Sequence, residues 1–355
     1  MRASPEQPGL PVLASGEDAP VELVLAIGLA LVFALTNGAH DASNAIATLV
    51  ATRGARPGQA ITISAVFNLL GAVVIGTAVA DTVAGIVTVS PDEAIAVISA
   101  GLAGASLWNL ATLWRGIPSG SGHALVGGLV GAALAEGGVT AVNWGGLEHG
   151  WHPVGAFGFL IALAVSPVLG FVVGLLLLRL LIASLRRGTN RIANPVGKAG
   201  WVLAAGISFS HGTNDAQKTM GVIAAMLLAD GRISELEVPL WTKVVTGAVL
   251  TLGTALGGWR IVRTLGRRIF PLRPIDSVAS QSASTAVILG SSLIGAPVST
   301  THVVASSVIG VGGARRRWHH VRWEVVEEIA VAWLVTIPAA GLLAAALFVL
   351  WRWAS

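Results

Sequence analysis

The chain of 355 residues contains no cysteine, which excludes disulfides and thiolate metal sites while leaving the compartment open. Charge is scarce too: Asp, Glu, Lys and Arg make up 11% of the residues, against roughly 25% in a soluble globular protein. No basic region followed by a short apolar core opens the chain, so no cleavable signal peptide is expected. Residues 1–20 read as a poorly ordered tail, rich in Pro and Gly and acidic at Glu17 and Asp18. What is abundant is apolar: 54% of the residues are hydrophobic and mean hydropathy is +0.77. The apolar stretches reach about 20 residues or more, as spanning helices require, whereas barrel strands need only about 10 with alternation. The fold expected is an all-α polytopic membrane protein. Its 44 glycines let helices approach closely where lipid gives no hydrophobic drive.

Ten apolar segments are expected, at about 21–50, 58–84, 93–114, 118–136, 154–185, 198–229, 239–262, 276–294, 297–313 and 323–353. Arginine and lysine fall mainly in the odd-numbered loops, as at Arg53, Arg115, Arg186, Arg187, Arg268 and Arg315. The even loops carry mainly acids, as at Asp92, Glu93, Glu136 and Glu235. The positive-inside rule places the odd loops in the cytoplasm and both termini outside. The formal charge of +4 is thereby a topology signal, and no nucleic-acid partner is expected. Two halves of five segments follow, 21–185 and 198–355, joined by a cytoplasmic linker at 186–197. An odd number of crossings per half makes the second enter from the opposite face, an inverted repeat. Segments three–four and eight–nine are short and closely joined, so they read either as full spans or as re-entrant hairpins.

The halves repeat their unusual residues. Asn37-Gly38-Ala39-His40-Asp41-Ala42-Ser43-Asn44 answers to His211-Gly212-Thr213-Asn214-Asp215-Ala216-Gln217-Lys218. Ile117-Pro118-Ser119-Gly120-Ser121-Gly122-His123 answers to Ala296-Pro297-Val298-Ser299-Thr300-Thr301-His302. A weaker match pairs Gly71 with Gly247 and Gly76 with Gly253.

Ionisable residues at membrane depth are costly and mark function. Asp41 and Asp215 suit a coupling cation, either a proton or Na+. Asn37, Asn44, Asn214 and Gln217 supply neutral polar groups, and Lys218 stands one turn after Asp215. Each Asp segment is near 30 residues, which either a tilted helix or a local unwinding at Asn37-Gly38 and Gly212-Thr213 accommodates. His40 and His211, near the aspartates, suit either a proton carrier or a structural hydrogen bond. Pro118 and Pro297 suit the first turn of a helix. Ser119, Gly120, Ser121 and Gly122 in one half, and Ser299, Thr300 and Thr301 in the other, then lie at helix N-termini. Free N–H groups and the positive dipole end favour an anion there, although plain N-capping uses the same residue types. His123 and His302 read as structural, the loop residues His149, His152, His319 and His320 as incidental, and most tryptophans as interfacial anchors.

These motifs closely resemble the signatures of the inorganic phosphate transporter (PiT) family, nearest to its bacterial low-affinity branch. The resemblance runs from about Val21 to Trp353. It implies a carrier, often a homodimer, that imports inorganic phosphate with a cation, needs no cofactor and is not an enzyme. Carried over, Asp41, Asn44, Asp215 and Gln217 belong to the duplicated acidic motif. Ser119, Ser121, Ser299, Thr300 and Thr301 belong to the hairpin motifs. His40 stands where sodium-coupled relatives often have Asn, the proton-coupled pattern. Gly120 and Gly122 replace serines of many relatives, leaving backbone amides in place of hydroxyls. The rival readings are sodium coupling, a sulfate permease, a passive anion channel and an intramembrane hydrolase with Asp41 and Asp215 as a dyad.

Overall fold

The computed structural model describes residues 21–148, 152–185, 193–257, 259–264, 268–315 and 318–354. The first half contains α1 (Val21–Ala51), α2 (Pro57–Val74), α3 (Ala78–Ala84), α4 (Pro91–Arg115), α5 (Ser121–Gly137) and α6 (Gly155–Ser184). The second contains α7 (Ala193–Ala229), α8 (Leu240–Leu256), α9 (Trp259–Arg263), α10 (Pro274–Leu293), α11 (Thr300–Ala314) and α12 (Trp323–Ala354). Two strands of two residues each, β1 (Leu147–Glu148) and β2 (His152–Pro153), pair between α5 and α6. The ten expected segments are all helical; the second and seventh are each divided, near Gly76 and at Gly257. The expected tail lies outside the described residues, as does most of the linker. The last linker residues, from Ala193, already belong to α7.

Local chemistry sets these limits. Proline opens α2, α4 and α10, where its missing N–H has no helical partner to lose. Gly116 ends α4 at φ +72°, and Gly295 follows α10 at φ +74°, a conformation that costs other residues about 1 kcal/mol. Among the described residues, six helices are long and apolar enough to cross a membrane: α1, α2, α4, α5 with its 3-10 extension, α6 and α12.

The packing is symmetric. Exchanging α1–α6 for α7–α12 maps the contact of α1 with α8 onto that of α7 with α2. The α1–α4 contact maps onto α7–α10, and α4–α5 onto α10–α11. The contact of α5 with α12 maps onto that of α11 with α6, and α4–α12 onto α10–α6. The chain therefore forms two repeats of six helices related by a pseudo-twofold, and each hairpin leans on the last helix of the other repeat.

Close backbone approach fixes the central four helices. A Cβ on Gly38 would strike the Leu250 carbonyl, and one on Gly212 the Asn68 carbonyl. A Cβ on Gly253 would meet the Leu35 carbonyl, and one on Gly71 the Phe209 carbonyl. Since 209 − 35 = 174, the offset of the aspartates, Gly71 is the counterpart of Gly253 and not of Gly247. The weak sequence match was out of register by nearly two turns.

These contacts also decide between tilt and unwinding. Helices α1 and α7 run unbroken through Asn37-Gly38 and Gly212-Thr213. Glycine is there for packing, and the interruptions lie instead at the hairpin tips, residues 116–120 and 294–299.

Candidate functional site

The two tips meet in the interior beside the middle of α1 and α7. Ser119, Gly120 and Ser121 of the first, and Ser299, Thr300 and Thr301 of the second, are all buried. The site of a Gly120 Cβ lies 3.0 Å from Ser299 Oγ and 3.2 Å from His302 Nε2, so a side chain there would part the tips. His123 and His302, one per tip, have ring centroids 4.2 Å apart. Neither proline is helical: Pro118 and Pro297 stand in the turns, two residues before the caps Gly120 and Ser299. The expectation that they open the helices is corrected on this point. Ser299 caps α11, accepting from His302 N at 3.3 Å, while Gly120 offers α5 no side-chain cap. The first N–H groups of both helices have no intrahelical acceptor.

Asp41 is 1% exposed and collects donors from three elements. Ser121 Oγ donates to its Oδ2 at 2.7 Å, and Thr301 Oγ1 donates to its Oδ1 at 2.8 Å. His40 Nδ1 donates to Oδ1 at 2.9 Å. The other nitrogen of His40 lies 3.1 Å from Ser119 Oγ, which is 3.0 Å from Thr112 Oγ1. Thr112 spends its own proton on the Trp108 carbonyl at 2.9 Å. The Ser119 hydroxyl can therefore donate either to His40 or, by rotating its hydrogen, to Thr112 while accepting from His40, with no heavy atom displaced.

Asp215 is held differently. Lys218 Nζ pairs with its Oδ1 and also donates to the Val298 carbonyl at 3.0 Å. Thr300 Oγ1 donates to Oδ2 at 3.2 Å. His211 Nε2 lies 3.2 Å from the same oxygen, out of line for a hydrogen bond. Asn44, the counterpart of Lys218, spans the two hydroxyls instead, donating to Thr300 Oγ1 at 3.1 Å and Thr301 Oγ1 at 3.0 Å. One ligand atom each from Asp41, His211 and Asp215 falls within a sphere of mutual distances of 4.8 Å, close enough to share a cation.

The remaining candidates divide. Asn37 is fully buried, and its amide nitrogen and oxygen are both without a hydrogen-bond partner among the described residues. Asn214 donates to Ser292 Oγ at 3.0 Å and leaves its carbonyl unpaired. Gln217 is turned elsewhere: its carbonyl accepts from Val79 N at 2.9 Å, at the start of α3. Gly122 packs against Lys218, whose Nζ would lie 3.3 Å from a Cβ there. Unpaired buried polar groups at this density call for a ligand, an ion or water.

Sequence reasoning missed Thr112, Ser292, Gln281 and Trp333. Gln281 donates to Thr48 Oγ1 at 2.7 Å, and Trp333 donates to the Pro118 carbonyl at 3.1 Å. A polar residue inside an apolar segment was the available signal for Gln281. For Trp333 it was a tryptophan in mid-segment, away from the interfaces where the others gather.

A profile described as "Phosphate transporter family" matches residues 37–196 and again 184–344, once per repeat. The chain belongs to that family. It is 42% identical to a "Probable low-affinity inorganic phosphate transporter" of Rhizobium meliloti, over 92% of this chain and 97% of the relative. It is 37% identical to a protein of the same description from Bacillus subtilis, over 91% of this chain and 95% of the relative. A solved structure described as "The sodium-dependent phosphate transporter" superposes with a TM-score of 0.82 at 25% identity. That match covers 94% of this chain and all of the other. The family match thus runs from residue 37 to residue 344, and these relatives are named as transporters rather than enzymes.

Proposed function

We propose that the chain is a secondary symporter that brings inorganic phosphate across the cytoplasmic membrane together with a cation, a proton in the first instance. The single observation behind this is the meeting of two hairpin tips, rich in hydroxyls and free amides, on two buried carboxylates. Ser119, Gly120, Ser121, Gly122, Ser299, Thr300, Thr301 and Asn44 take the phosphate side, and Asp41, Asp215, His40, Asn37 and Asn214 the cation side. Gln217 serves the site indirectly by anchoring α3.

The hydrogen bonds suggest how the two cargoes depend on each other. A hydroxyl has one proton to give. Ser121 and Thr301 give theirs to Asp41, and Thr300 gives its to Asp215. A cation on the carboxylates replaces these donors and releases the hydroxyls toward phosphate. Charge acts in the same direction. Two carboxylates against the Lys218 ammonium sum to −1, a charge that opposes an anion and that a bound cation offsets. Anion uptake against a negative interior also costs about 2.3 kcal/mol per charge and 100 mV, which co-transported cations offset. His40 is the proton carrier in this account, because its two hydrogen-bonded states both fit.

Sodium is the second reading, favoured by the Asp41, His211 and Asp215 cluster and by the description of the solved relative. Both termini are placed outside, the repeats are inverted about the membrane plane, the hairpins are re-entrant and the protein is a homodimer in the membrane. The boundaries are 21–185 and 198–355. Phosphate uptake into proteoliposomes with pH and sodium gradients imposed separately tests the coupling. Uptake is expected to follow the inward proton gradient and to fall at least about tenfold in Asp41→Asn. Unaltered gradient-driven uptake in that variant would refute the assignment.

A further inference from the structure

A cleft of about 750 Å³ reaches inward between the first hairpin tip and α12, on the face of the arginine-rich loops. Ile117 and Pro118 of that tip line it. The next residue, Ser119, is fully buried and bonded to His40. One turn of backbone therefore separates the cleft from the Asp41 pocket.

That turn is pinned at both ends. Thr264 Oγ1 donates to the Gly116 carbonyl at 3.3 Å. Trp333 of α12 donates its indole N–H to the Pro118 carbonyl at 3.1 Å. The same indole stacks on His302 of the second tip, centroids 3.6 Å apart, and the His302 ring lies tilted against that of His123. Trp333 therefore clasps one tip to the other.

The Thr264 tether has a twofold mate, since Thr82 Oγ1 donates to the Gly295 carbonyl at 2.9 Å. The Trp333 clasp has none. A Cβ on Gly310 would meet Phe171 as one on Gly131 meets Gly341, so the α6-to-α12 offset is 341 − 171 = 170. The counterpart of Trp333 is then Leu163, which has no donor. A device present in one repeat only belongs to one face of the membrane.

We propose that this cleft is the route by which phosphate leaves the pocket toward the arginine-rich face, that the first hairpin tip is its gate, and that Trp333 is the positioning residue that holds the gate shut. The lining carries charge of both signs: Arg115 and Arg268 stand among Glu324, Glu327 and Glu328, and Arg268 lies 3.5 Å from Glu328, so neither sign of charge is left alone to hold an ion there. The inference rests on the phosphate reading for its cargo, but the gate can be tested without it.

The absence of native cysteine makes single cysteines clean reporters. Ser119→Cys in oriented proteoliposomes is treated with a membrane-impermeant methanethiosulfonate from either face, with and without Trp333→Phe. Phenylalanine keeps a ring on His302 and drops the N–H. Labelling is expected from the face that also labels Glu327→Cys, and about fivefold faster or more with Trp333→Phe, the effect of one lost hydrogen bond. Unchanged labelling of Glu327→Cys beside Trp333→Phe shows that the cleft is intact. Should Trp333→Phe fail to fold, Thr264→Val loosens the other tether and is expected to raise the same rate. Labelling of Ser119→Cys only from the face opposite Glu327→Cys, or a rate indifferent to both tether variants, overturns the proposal. No phosphate is needed for this readout, so its failure is distinct from a failure of phosphate uptake.

Discussion

Lys218 and Asn44 occupy equivalent positions and do opposite things. Lys218 is fully buried and neutralises Asp215, while Asn44 bridges the two threonines and leaves Asp41 without a fixed cation. The pseudo-twofold thus holds for the backbone and fails for the charge, which leaves Asp41 as the carboxylate with a histidine and hydroxyls around it. Removing one partner of a buried pair strands the other. Lys218→Met is expected to cost about 3–5 kcal/mol, read as a lower unfolding temperature in detergent. Lys218→Met combined with Asp215→Asn is expected to recover most of that stability while phosphate uptake stays lost. At this scale the sequence was informative wherever a polar residue interrupted an apolar run, which marked Asp41, Asp215, Ser121, Thr300 and Thr301. It could not show who meets whom. Asn44 and Thr300 are 256 positions apart, and only packing brings them to 3.1 Å. Trp333 was hidden for the same reason, since its partner carbonyl lies 215 positions away.

At the scale of elements, glycine in an apolar helix carries two messages, weak helix propensity and room for a neighbour, and the sequence does not say which applies. Here the second holds. Gly38 and Gly212 let carbonyls of α8 and α2 come against α1 and α7, so both helices stay intact past their aspartates. Gly38→Leu would drive a side chain into the Leu250 carbonyl, which cannot yield without shifting α8. The expected loss is about 3 kcal/mol or more, with reduced unfolding temperature and yield, while Gly28→Leu, where nothing lies within 4 Å of the new Cβ, is expected to be neutral. The hairpins were legible as pairs of short, closely joined segments but not as either full spans or re-entrant turns, because nothing local distinguishes a tight turn at a membrane surface from one inside it.

For the whole molecule, the apolar segments, their grouping into halves and the acidic and hydroxyl motifs could all be read before any coordinates. The register of α2 against α8 could not, since glycines recur too often for a short match to fix it. The placement of both termini outside has a direct check. Glu22→Cys and Ala354→Cys are expected to react with an impermeant thiol reagent on intact cells, and Lys198→Cys only after permeabilisation. Reaction of Lys198→Cys alone on intact cells would reverse the placement, and reaction of all three would refute the cytoplasmic position of Lys198.

The leaning of each hairpin on the other repeat's final helix constrains how the carrier can work. α4 and α5 grip α12, and α10 and α11 grip α6, while α1, α2, α7 and α8 form a frame between these two trios. The mechanical parts are therefore not the genetic ones. Two repeats swinging against each other as solid blocks would tear both grips open. In the proposed carrier each trio, braided from both ends of the chain, would shift over the frame as a piece apart from its hairpin tip, so that the repeat supplies the symmetry while the interlacing sets what is free to travel.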